Sequence, residues 1–578
     1  MFNPSHLLGI FSAFNASHFE TLDFTALAGA AQPNRLGGVV QMRPFAIKDG
    51  GVDSLAQRER KVEGAELNVG PMSSQGTIRV RPNGKLLFVA SARQAYMNLL
   101  YGKWLDFDGS PLRYSFGDYN VTLSYRPSMR HRFDLNAYFG QDRASYTEGA
   151  HLMHVRLNWS NYAAEASWRV MGKSWQLTQR LVASGYQNDF RLRQAGQKMS
   201  LPSHIRQYGY QAEWNCNSWQ IGGSYSLYQI LPQSPQIEST YTQIEADRQE
   251  KGVAHEANVY AGWQYDWHDG QWVLKPKGRV TYYRDVDQKS WFSISPMLTL
   301  SWQAAPQHRF GVQLSVANQY VQQTGFTSLG LPTEFWFSAS HELKPQRAEG
   351  LSLLYDGQTP NNAWAFTANA YVKRLHHQKE YKDNVLDLIN EAYSLNKSLL
   401  QGRGLNYGFG VQLTRQSGPV TGWVGYAFGR SLRKFPELRE RSSYPANHER
   451  VHEFNLVATW QALKRVTFTC SAVFASGTPF TSANEFYLMN GYVVAQYGKH
   501  NGCHLPWYKR VDMAVNVDLK QKKQRHFRHG FNVSLFNAFG FNNPLFYRLR
   551  IRRDGNFRFA PVCFLKYPLP SFSYYIKY

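Results

Sequence analysis

A few groups of side chains in this sequence have the types and spacing to do chemistry. His376 and His377 are adjacent and precede Lys379 and Glu380. His500, Cys503 and His504 bring imidazole and thiol ligands into one short segment. Neighbouring residues on a strand point to opposite faces, so the first pair cannot share a metal without a turn, and the second set is one ligand short of a closed zinc site. Serine, histidine and aspartate are scattered, with no GxSxG elbow and no HExxH pair to mark a hydrolase. The run Lys520, Lys522, Lys523, Arg525, His526, Arg528 and His529 lies between two strand patterns and reads as a solvated turn touching lipid phosphate. Phe335, Trp336 and Phe337 have the faces to stack on a ring-shaped ligand, yet suit a membrane-interface girdle, which is the reading favoured. Cys216, Cys470, Cys503 and Cys563 show no CxxC spacing, and Cys470 shares a strand face with Phe468 and Phe474, which gives it a packing role. No catalytic constellation emerges, and no cofactor or metal is expected.

The elements that must carry these residues are strands. In 578 residues, 15% are aromatic and only 18% charged, with 45 Gly and 25 Pro, the composition of a β-rich chain with many turns. No apolar run reaches the ~18 residues of a transmembrane helix. The formal charge is +23, from 64 Lys and Arg against 41 Asp and Glu. These basic residues are spread among Tyr, Phe and Trp instead of gathered on one stripe, which argues against nucleic acid. A membrane with phosphate-bearing lipids is the natural partner for such a surface.

The dominant pattern has period two. Tyr119, Val121, Leu123 and Tyr125 alternate with Asn120, Thr122, Ser124 and Arg126; a turn follows at Pro127, and Phe133, Leu135, Ala137 and Phe139 resume against Asp134 and Asn136. Phe454 to Trp460 and Val466 to Phe474 form a second such hairpin. Met513, Val515, Val517 and Leu519 alternate with Asp512, Asn516, Asp518 and Lys520. A sandwich core would not accept those charges unpaired, whereas a wetted lumen does. Aromatics cluster near segment ends, and connections alternate short with long, as in a transmembrane barrel. At ~24 residues per strand and connection, the chain yields an antiparallel barrel of about 22 strands, wide enough to need a plug. Gln233 to Gly252, Gln323 to Leu343, Tyr381 to Gly404 and Phe480 to Pro506 read as extracellular loops. The ending Phe572, Tyr574, Ile576 and Tyr578 is a final strand that barrel assembly machinery can also read as an address.

At this level of detail the sequence resembles the TonB-dependent outer-membrane receptors, and in particular their Bacteroidota branch. Residues 3–15, with His6, Gly9, Phe14 and Asn15, look like the middle of that branch's plug. Residues 32–40, with Arg35, Gly37 and Gly38, are similar to the segment that ends it, where a turn needs permissive glycine angles. Residues 84–93, ending on Arg93, resemble the first barrel strands. Residues 332–346, with Trp336, Lys344 and Pro345, resemble a mid-barrel signature. Gly477 and Pro479, Arg510 and Asp512, and Asn537, Asn543 and Pro544 match the late strands.

The resemblance implies a plug remnant at 1–48 and a transmembrane barrel at 49–578. It implies an outer-membrane receptor for a scarce nutrient such as a siderophore, glycan or peptide, with no enzymatic activity and no catalytic residues. Its expected partners are outer-membrane lipid and lipopolysaccharide, the barrel assembly machinery, the nutrient, and a TonB-type energy-transducing complex that pulls on an N-terminal box. No signal peptide or TonB box is seen, and only about the last third of a plug, so an uncoupled passive pore is the alternative expectation. A soluble glycan-binding protein is the third.

Overall fold

The computed structural model describes residues 1–3, 5–7, 12, 14–25, 35–47, 62–102, 106–107, 110–148, 153–194, 197–233, 236–239, 251–325, 334–381, 395–438, 442–489, 492–520, 527–551, 557–564 and 567–578. Antiparallel strands close on themselves into a barrel of 22 strands. Strand follows strand around the wall in chain order, and Leu569–Lys577 closes the circle by pairing with both Arg528–Phe536 and Val62–Val69. No helix among the described residues is long and apolar enough to cross a membrane.

The alternation read from the sequence is the alternation of the wall. On Ser110–Tyr125, Tyr119 is 45% exposed on the outer face, whereas Asn120 is 2% exposed on the inner face. On His131–Glu148 the exposed residues include Phe133, Leu135 and Phe139, while Asp134 and Asp142 are buried inside. Greasy side chains therefore face lipid, and polar ones face a bore. Tyr125 pairs with Phe133 and Phe454 with Phe474, so both expected hairpins are present.

The two ends of the barrel differ. Short turns join strands at one end, and there the outward rings form a continuous ladder. Trp219, Trp263, Tyr265, Trp267, Trp272, Trp302 and Phe310 follow one another at centroid separations of 5.3–6.0 Å. Tyr355 and Phe366 continue the row. Such a girdle sits where hydrocarbon meets headgroups. Long connections occupy the other end, which by the rule for outer-membrane barrels is extracellular.

One loop departs from expectation. The Phe335–Ser338 strand pairs with Val321–Thr324 as a small hairpin away from the wall, and Phe335, Trp336 and Phe337 are all buried. Their assignment to a lipid girdle is thus overturned. A girdle ring keeps one face on lipid, while these pack on both sides, Phe335 and Phe337 with Leu343 and Leu399, and Trp336 with the lumenal core. The expected loop from Tyr381 to Gly404 is also shorter, because Leu399–Arg415 is already a wall strand.

Candidate transport lumen and plug seat

The N-terminal residues lie against the inner wall. Three inward side chains on adjacent strands, Arg93, Asp118 and Asp142, converge on His6, which the alternation makes possible because inward positions on paired strands stand side by side. His6 Nδ1 is 2.9 and 3.0 Å from the Asp142 carboxylate oxygens, and Nε2 is 3.1 Å from Asp118 Oδ2. Arg93 Nε donates to Asp118 at 2.9 Å, and Arg93 Nη2 donates to the Ser12 carbonyl at 2.5 Å. Tyr114 and Tyr138 donate their hydroxyls to Asp142 and Asp118 at 2.6 and 2.9 Å. The His6 ring stacks on Phe116 at 4.0 Å. Burial opposes charging this imidazole, but hydrogen bonds and charge from Asp118 and Asp142 outweigh it and raise its pKa above 6.5. Two carboxylates then meet two cations in a dry site, the condition under which buried charge is tolerated.

A second histidine is seated oppositely. His18 ends a turn capped by Asn15, whose side chain accepts from Ser17 N at 3.1 Å. Its ring bridges Ser91 and Thr122 at 2.7 and 2.9 Å, with no carboxylate. Burial lowers its pKa to about 4, so it is neutral at ordinary pH. Phe19–Thr25 and Val39–Pro44 then form a hairpin that presents Leu22, Phe24 and Val40 as exposed side chains. Gly38 has φ 125°, and a Cβ there would meet the Thr25 carbonyl oxygen at 2.8 Å, which is the glycine requirement expected of this segment. Gly37 has open space and no positive φ, so the requirement falls on one glycine only. Leu36 reaches the far wall, where its N–H donates to Gln319 at 3.1 Å and its carbonyl accepts from Lys373 at 3.4 Å.

Above the seat, the inward rings Tyr114, Trp159, Tyr186, Tyr228, Tyr283 and Tyr320 line the wall beneath the Trp336 hairpin. Phe2 meets Trp336 edge-on at 5.0 Å, and the Arg35 guanidinium lies 5.4 Å from the Trp336 ring. Across the mouth, His500 Nε2 is 2.7 Å from Glu380 Oε1, and Tyr444 donates to the same carboxylate at 2.6 Å.

The remaining residues singled out in the sequence fall as follows. Phe14 packs on Phe19 and Tyr138; Gly9 lies outside the described residues. Lys344 and Pro345 offer carbonyls to Lys379 and His377. A bulge at His377 breaks the strict alternation with His376. Gly477 allows an approach no side chain could share, since a Cβ there would lie 1.6 Å from the Leu505 carbonyl oxygen. Pro479 begins a two-residue strand paired with Cys503 and His504. Arg510 and Asp512 form an ion pair at 3.0 Å, and Asp512 accepts from the Asn537 N–H at 2.9 Å. Asn543 both accepts from and donates to the Lys509 backbone at 2.9 Å, standing in for a strand just before Pro544. Phe572, Tyr574, Ile576 and Tyr578 lie on or beside the closing strand, with Tyr574 paired to Val69 and Ile576 to Leu67. Much of the basic run after Lys520 lies outside the described residues, and Arg528 pairs with Asp518. Sequence reasoning missed Asp118, Asp142 and Tyr114. Asp118 had a signal, as the one charge at inward parity on its strand, whereas Asp142 shares its inward face with Arg132 and Asp134 and Tyr114 has no mark of its own.

A closed barrel of this size, girdled by rings outside and holding an N-terminal segment inside, defines a class: the large receptors of the bacterial outer membrane. The family model described as TonB dependent receptor-like, beta-barrel matches residues 86–543, and the chain belongs to the TonB-dependent receptors. Solved structures agree at the level of fold. The ferripyoverdine receptor of Pseudomonas aeruginosa, bound to ferripyoverdine, is 9% identical with a TM-score of 0.63, over 94% of this chain and 74% of that one. The siderophore receptor PiuA from Acinetobacter baumannii is 9% identical with a TM-score of 0.65, over 97% and 86%. The ferric-catecholate import receptor Fiu from K12 E. coli is 10% identical with a TM-score of 0.61, over 94% and 84%. No curated protein matches by sequence. The protein is an outer-membrane β-barrel of this receptor family.

Proposed function

We propose that this chain imports a scarce nutrient across the outer membrane, with residues 1–48 acting as the last part of a plug and 49–578 as the barrel. Ferric chelates are the favoured nutrient class, since receptors of similar fold carry them in their names. The nutrient is captured among the long loops and the inward rings, and passage requires displacing the N-terminal segment with work delivered by a TonB-type complex. Phe572, Tyr574, Ile576 and Tyr578 serve the assembly machinery.

The observation that carries this reading is the His6 seat. Arg93, Asp118 and Asp142 are buried charges that partly satisfy one another and the wall tyrosines, and the segment adds the His6 imidazole between the two carboxylates and the Ser12 carbonyl on Arg93. A passive pore gains nothing from holding them.

Planar-bilayer recording combined with uptake tests this. Low conductance that rises reversibly in urea, together with ferric-chelate uptake that stops when the inner-membrane proton gradient collapses, is expected. Steady large conductance and uptake indifferent to the gradient would establish the uncoupled pore instead.

A further inference from the structure

The outer face of the wall carries a site of its own, on the side exposed to the outer leaflet. Tyr119 and Phe139 stack at 6.4 Å and, with Tyr162 in the same cross-strand row, end the apolar band. The next outward row, Gly117, Gln141 and Ser160, has no apolar side chain, so hydrocarbon ends there. Above it the register places Ser115 beside Arg143 and Arg143 beside Asn158, and then Arg113 beside Ser145 and Ser145 beside Arg156.

Arg113, Arg143 and Arg156 are all exposed, while the neighbours at inward parity, Tyr114, Asp142 and Leu157, are buried. The three arginines therefore share the outer face. They line a recess of about 470 Å³ together with Gln141, Ser145 and Asn158, and no carboxylate is among its lining residues. Among the described residues Arg113 and Arg156 have no ion pair, and Arg143 only donates to Gln141 at 3.3 Å. Further around the wall the pattern changes: Arg191, the next residue in the Arg113 row, is neutralised by Asp189 at 2.6 Å.

We propose that this recess binds a phosphate of the glycolipid headgroup in the outer leaflet, the lipid A portion of lipopolysaccharide. Three features converge on that occupant. Arg113 and Arg156 stand two strands apart, about 10 Å, so their long side chains can grip one phosphate from both sides. Arg143 stands four residues above Phe139, a rise of about 10 Å at the usual strand tilt, which is headgroup depth when Phe139 lies at the hydrocarbon edge. Ser145, Gln141 and Asn158 supply the neutral donors a sugar phosphate uses. A free anion would need none of this alignment with the apolar band.

Native mass spectrometry of the full chain in detergent tests it, with bisphosphorylated lipid A, its dephosphorylated form and inorganic phosphate as probes. Bisphosphorylated lipid A should be retained at one per chain, and the dephosphorylated form at least about tenfold less. The R113Q/R143Q/R156Q variant should lose at least about tenfold in retention, as removal of charge-assisted contacts requires. Ser145→Asp, which leaves the arginines in place but sets a carboxylate among them, should do the same, and heat-modifiable gel mobility verifies that both variants remain folded barrels. Arg309→Gln, at the short-turn end, should retain lipid as the parent does. Equal retention of the two glycolipids, or undiminished retention by both folded variants, would overturn the site. Displacement of lipid A by millimolar inorganic phosphate would overturn the lipid assignment.

Discussion

The near and far walls of the bore hold the N-terminal segment by different means. On the near wall, His6 sits among Asp118, Asp142 and Arg93, and His18 bridges Ser91 and Thr122, so charge and dry hydrogen bonds act together. On the far wall, Leu36 meets Gln319 and Lys373 through backbone hydrogen bonds, at 3.1 and 3.4 Å. Backbone contacts to long flexible side chains hold weakly, because each contributes about 1 kcal/mol and the side chain can follow a displaced partner. The segment is therefore anchored on one side and rests on the other, and a displacing force should free the far contact first.

The most damaging way to break this contrast is Asp118→Ala. It leaves Arg93 and His6 without their shared carboxylate in a buried site, at a cost of about 3–5 kcal/mol to seating. Protease sensitivity of residues 1–47 and a rise in single-channel conductance would report it. His6→Gln removes one cation and should cost about 2 kcal/mol by the same readouts.

The acidity of the medium sharpens the comparison within the near wall. His6 binds its proton more tightly when seated, so its contribution is full below about 6.5 and is lost as pH rises through its raised value. His18 behaves inversely: with its pKa lowered to about 4, it contributes fully above 6.5 and loses that contribution as pH falls toward about 4. Protection of the segment against pH should rise and then fall. His18→Gln should flatten the acid limb, and His6→Gln the alkaline one. The smallest effect belongs to the far wall, where Lys373→Met should cost about 1 kcal/mol or less and leave protease protection nearly unchanged.

The wall was readable in the sequence because lipid and water press on alternate residues. Tyr119 and Asn120 differ in exposure as their chemistry demands, and so do Leu135 and Asp134. The interior was less readable. Phe335, Trp336 and Phe337 are consecutive, and period two cannot place all of them on lipid; that violation was the clue to a hairpin buried on both faces. His6 was singled out by resemblance, but its carboxylate partners lie over a hundred residues away. Pairing register, which brings Arg93 opposite Asp118, and Asp118 a diagonal step from Asp142, is a long-range property that local patterning does not encode.

The ring ladder from Trp219 to Phe366 has a mechanical consequence for a receptor of this kind. Pulling the seated segment toward the periplasm loads the near wall through Asp118 and Asp142, and the whole cylinder would be dragged with it. Indoles and phenols stacked side by side at one depth act as a collar, because sinking one means tearing all of them from the headgroup layer. In the import proposed above, the bilayer thus supplies the reaction force, and the work goes into displacing the segment instead of towing the protein.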